Sequence, residues 1–101
     1  MIDQAKARRE HLRWLILLTL NNARPIGAFE GPILSVAQSE YPDATAHELR
    51  RELDYLHDRK LVGIERRPDG RWLAELTRYG VDVAEYTVAC EPGIARPEKY
   101  W

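Results

Sequence analysis

Cysteine, methionine and phenylalanine each occur once in 101 residues. The single thiol, Cys90, excludes an internal disulfide and a zinc site built from cysteines, and makes a reducing, cytoplasmic setting the expectation. Excess charge of one sign is also missing: 15 Lys and Arg stand against 16 Asp and Glu, a net charge of -1. Nucleic-acid-binding domains commonly carry a basic face, so this balance is unusual for one. Long hydrophobic runs are absent too. The apolar run Trp14 to Leu18 is too short to span a bilayer, and the charged N-terminus does not read as a secretory signal. There is no glycine-rich phosphate loop and no nucleophile motif. His11, His47 and His57 lack the spacing of a metal site. His57 lies beside Asp54 and Asp58, which a helix-surface ion pair explains. An enzyme, a metal and a cofactor are therefore not expected.

What is present centres on residues 45 to 80. Thr45 and Glu48 have the T-x-x-E spacing of a capping box, in which each side chain satisfies a backbone N–H of the first turn. Leu49, Leu53 and Leu56 then line one side of an amphipathic helix. Beyond Lys60 the period becomes strand-like. Ile64 to Arg67 runs out, Pro68-Asp69-Gly70 reverses the chain, and Arg71 to Leu76 returns with Trp72, Ala74 and Leu76 on one face. Trp72 is expected to pack under this hairpin against the helix.

The remaining elements fit around that unit. A first helix is predicted from about Asp3 to Leu20. Its second half is apolar nearly all round, so it is either central to the core or shared with a partner. A homodimer through Trp14, Leu17, Leu18 and the C-terminal region is one expectation, and a buried first helix with one or two exposed leucines is the other. Residues 23 to 31 read as a loop or a short extended piece. Pro32 suits the first turn of a second helix ending near Glu40, and Tyr41-Pro42-Asp43 forms the turn. Thr77 caps a last helix, with Val81, Ala84 and Val88 facing inward. The domain is expected over 1–88, followed by an extended tail over 89–101. Pro92 and Pro97 forbid helix there, yet Ile94, Tyr100 and Trp101 make it apolar. It either folds back over a groove or docks another protein with Tyr100 and Trp101 as anchors.

A helix feeding a basic-tipped hairpin is the winged helix-turn-helix pattern, an α+β, mostly α fold with a two-stranded β-hairpin wing. The residues Leu53, Leu56, Leu61, Val62 and Gly63, followed by Leu76, Thr77 and Gly80, resemble the MarR, ArsR and PadR groups of bacterial regulators. The run Leu76, Thr77, Gly80, Asp82, Val83, Ala84, continued by Pro92, Gly93, Ile94, Arg96 and Pro97, is similar to small ArsR-like winged-helix proteins of Mu-like phages and prophages. That resemblance spans the second helix to Pro97. It implies a phage or prophage transcription regulator in a bacterial host cell, and no catalytic residue.

By position the helix from Thr45 is the recognition element. With Leu49 facing the core, the opposite side collects His47, Arg51, Asp54, Tyr55 and Asp58, flanked by Glu48 and Arg50. The DNA-binding candidates are Thr45, His47, Arg50, Arg51 and Tyr55 on the helix, and Arg66, Arg67 and Arg71 on the wing over 64–76. Arg can pair with guanine, and His or Thr can meet bases or phosphates, while wing arginines suit the backbone or minor groove. DNA binding predicts one continuous positive stripe linking Arg51, Arg66, Arg67 and Arg71. Arginines interrupted by carboxylates favour the alternative, a protein–protein adaptor in phage DNA packaging or assembly without specific DNA binding.

Overall fold

The computed structural model of the protein describes residues 3–99, and Tyr100 and Trp101, the expected aromatic anchors, lie outside them. Helix α1 (Gln4–Asn22) begins at Asp3, whose carboxylate accepts the Lys6 N–H at 3.1 Å. Its apolar half runs through the centre of the molecule. Trp14, Ile16, Leu17 and Leu20 are all buried, together with Leu49, Leu53 and Leu56 of α3 (Ala46–Asp58). Burying each such leucine contributes about 1.5–3 kcal/mol. The expected dimer contact through Trp14 and Leu17 is thereby corrected. These side chains are 6% and 0% exposed and are covered by their own chain. Leu18 is half-buried.

Strand β1 (Ala28–Phe29) precedes α2 (Glu30–Glu40). Pro32 falls within the first turn of α2, where its missing N–H is harmless. Helices α2 and α3 with the intervening turn make the helix-turn-helix, and Ala44 of that turn packs on Leu12 and Ala37. Thr45 caps α3 by accepting the Glu48 N–H at 3.2 Å, a contact worth about 1 kcal/mol. The reciprocal half of the box goes elsewhere: the Glu48 carboxylate takes two hydrogen bonds from Arg8 of α1, both at 2.7 Å.

Just past the end of α3, Lys60 takes φ 67°. The Leu61 N–H donates to the Leu56 carbonyl at 2.9 Å and the Lys60 N–H to that of His57 at 3.0 Å, which turns the chain sharply into the wing. Strands β2 (Val62–Arg66) and β3 (Trp72–Leu76) form the hairpin. At its tip the Gly70 N–H reaches the Arg67 carbonyl, and Gly70 takes φ 91°, which only glycine adopts without strain. A third strand joins the expected two. β1 pairs antiparallel with β3, Ala28 opposite Ala74 and Phe29 opposite Leu73, giving the order β1-β3-β2.

Thr77 caps α4 (Arg78–Ala84) as predicted by accepting the Gly80 N–H at 3.1 Å. The helix is shorter than expected, and Val88 is exposed at 37% instead of facing inward. Tyr86, at φ 63°, leaves the helical path and sets its ring edge-on to Trp14. The tail then folds back. Ile94 and Cys90 pack on the core, the Ala95 N–H donates to the Glu10 carbonyl at 3.1 Å, and the Tyr86 hydroxyl donates to that of Pro97 at 2.7 Å. Arg96 donates to the carbonyls of Val83 and Val88.

Candidate nucleic-acid interface

The hairpin register sends the wing side chains to two faces of the sheet. Arg66 lies opposite Trp72, and both face α3. Phe29, Leu73 and Glu65 share the other face, because Leu73 is opposite Phe29 in β1 and Glu65 in β2. The arginines divide accordingly. Arg50 and Arg66 lie over the Trp72 ring, at 4.7 and 4.4 Å from its centroid. Arg67 and Arg71 lie over Phe29, at 5.5 and 4.4 Å. Trp72 is half-buried against the core, as expected for a residue packed beneath the wing.

Each wing arginine carries a carboxylate. Arg66 meets Asp54 of α3 at 2.9 Å, Arg67 meets Glu65 at 3.3 Å, and Arg71 meets Asp69 at 2.8 Å. The arginine beside the tip holds Asp69 below the usual carboxylate range, chiefly through the Arg71 backbone N–H and then its guanidinium. The positive stripe is therefore interrupted by acids. These pairs are exposed, and exposed pairs contribute only about 0–1 kcal/mol each. A phosphate can replace such a carboxylate at little cost.

Arg50 is held far more firmly. Its Nε donates to Glu30 Oε2 at 2.6 Å, and its Nη2 bonds Glu30 Oε1 and also the Gly70 carbonyl at the wing tip, 2.8 Å away. The Trp72 backbone N–H donates to Glu30 Oε1 at 3.3 Å. Arg50 lowers the Glu30 carboxyl from its ordinary value, above all by this hydrogen bonding. Arg51, the next residue, is exposed and has no ion pair among the described residues. His47 and Thr45 are exposed beside it at the start of α3.

Tyr55 is not on this face, contrary to its place opposite Leu49 on the helical wheel. It is half-buried under the tail, its hydroxyl against Gly93 and the Arg13 guanidinium 3.5 Å from its ring centroid. The tail packs on Tyr55 and so half-buries it, away from Arg51 and His47. The same corner holds a pair that sequence reasoning missed. Arg13 Nε bonds Glu52 Oε1 at 2.8 Å, with side chains 11% and 3% exposed, while Arg13 Nη1 donates to the Gly93 carbonyl at 2.8 Å. The signal was available: Arg13 opens the apolar run of α1, and Glu52 adjoins the Leu49–Leu53–Leu56 stripe.

Burial pushes the Cys90 thiol up, against a smaller opposing effect of Arg96, so it is not an activated nucleophile. Among the described residues no three His, Cys, Asp or Glu side chains gather as a metal site. No helix among them is long and apolar enough to cross a membrane.

No family model matches the chain, and no curated protein matches it. Among solved structures it is similar to a crystal structure from Ralstonia eutropha JMP134 named a "putative DNA-binding protein". The two are 25% identical with a TM-score of 0.64, over 88% of this chain and 100% of that one.

Proposed function

We propose that the protein binds double-stranded DNA as a transcription regulator of the phage or prophage type. The first two turns of α3 enter the major groove with Thr45, His47 and Arg51, and Arg66, Arg67 and Arg71 of the wing lie on the flanking backbone or minor groove. The observation that carries this reading is the exposed Arg51, which has no ion pair among the described residues, beside His47 on a helix whose opposite face is locked into the core. The likeness to the Ralstonia protein, named a "putative DNA-binding protein", supports it.

The test is fluorescence anisotropy against labelled duplexes tiled from the gene's own neighbourhood. Binding that prefers one tile, and that weakens when Arg66, Arg67 and Arg71 are all changed to Ala, is the expected result. The adaptor reading has one observation in its favour: every wing arginine already faces a carboxylate, in a chain of net charge -1. A folded protein that leaves every duplex unbound at low salt would select it.

A further inference from the structure

We propose that Glu30 is a positioning residue for the DNA-binding surface, fixing through Arg50 where the wing stands relative to the recognition helix. The inference rests on the DNA reading above, but its argument is geometric. Glu30 opens α2, and its side chain is 15% exposed. One carboxylate oxygen takes Arg50 Nε, and the other takes Arg50 Nη2 together with the Trp72 backbone N–H. The Arg50 guanidinium then reaches the Gly70 carbonyl. One ion pair thus joins the first turn of α2, the second turn of α3, the start of β3 and the wing tip.

The three wing arginines pair with one exposed carboxylate each. Arg51 pairs with none of the described residues. The two adjacent arginines of α3 therefore do different work: Arg51 is open to a ligand, while Arg50 is spent on holding the wing. A hairpin fixed in advance does not have to be ordered when DNA binds, so the ordering penalty falls on folding and not on binding. The planar guanidinium grips both carboxylate oxygens from two nitrogens while reaching the carbonyl, a geometry that the single nitrogen of an ammonium does not reproduce.

Charge alone and positioning predict opposite signs, which makes the test sharp. Removing a negative charge near bound DNA strengthens binding by general electrostatics. If Glu30 positions the wing, Glu30→Gln instead weakens it, by roughly three- to tenfold, the scale of a lost charge-assisted hydrogen bond. Arg50→Lys keeps the charge and should weaken binding similarly. In Glu30→Gln the slope of log affinity against log salt should stay within about 0.3 of the parent, since a lost phosphate contact lowers it by about 0.9. Amide exchange at Trp72 and Gly70 should quicken in both variants while core amides of α1 remain protected, which separates a loosened wing from general unfolding. Equal or tighter binding by Glu30→Gln, with the parent binding normally, would overturn the proposal and leave the DNA reading standing. A parent that binds no duplex would overturn both.

Discussion

Asp54 and Arg66 show how much a single residue can tune this surface. Their contact at 2.9 Å is half-exposed on both sides, so it contributes little to stability, yet it occupies a guanidinium that faces the proposed DNA. Asp54→Asn should strengthen duplex binding by up to about fivefold, the equivalent of about 1 kcal/mol. Asp58→Asn removes the same charge one turn on without freeing an arginine, and should give a smaller gain in the same anisotropy assay. Equal gains would mean that Arg66 is not the group released. Glu30 makes a prediction about pH. Its folded carboxyl titrates below the ordinary 4.5, so its stabilising effect is complete above that value and is lost as pH falls through the lower, folded one. The stability difference between the parent and Glu30→Gln, measured by urea unfolding, should therefore be constant near neutrality and shrink on the acid side of 4.5.

Among the elements, α3 and the hairpin are legible from sequence because their signals are local. A threonine cap, leucines at helical spacing and a Pro-Asp-Gly reversal each act within a few residues. β1 is not legible in this way. Two residues make no periodicity, and Ala28–Phe29 becomes a strand only because β3 offers an edge to pair with. The end of α4 is illegible for a similar reason, since Tyr86 leaves the helix to meet Trp14 of α1. Gly80 has a packing explanation. A Cβ there would overlap the Leu61 carbonyl oxygen, which accepts the Thr77 N–H at 3.1 Å. Gly80→Ala should therefore destabilise the fold by about 2–3 kcal/mol, because backbone on both sides has to move. Thermal unfolding checks this, and an unchanged midpoint would show that α4 can move away from Leu61.

At the scale of the whole molecule, the tail is part of the domain. It is tied to α1 through the Ala95 N–H and through Arg13, and it packs on Tyr55 of α3. The Cα radius of gyration is 13.0 Å, which is close to the roughly 13 Å expected for one compact domain of about 100 residues. Arg13 is the keystone of that arrangement, pairing with buried Glu52 and bonding Gly93 at once. Arg13→Ala would leave the Glu52 carboxylate buried without its partner, and should cost about 3–5 kcal/mol. Arg13→Met combined with Glu52→Leu should recover most of that loss, because the double change removes both charges. If the double variant is no more stable than Arg13→Ala, the tail contact and not the ion pair is the dominant interaction.

The central claim is that duplex DNA meets the first turns of α3 and the wing tip, on the side away from the tail. The most direct measurement is an NMR titration of the labelled protein with a short duplex at low salt. Backbone amides of residues 45–51 and of Arg66, Arg67 and 69–71 should shift together, with those of 93–96 unmoved. Shifts confined to α1 and the tail, or none at all from a folded protein, would contradict it.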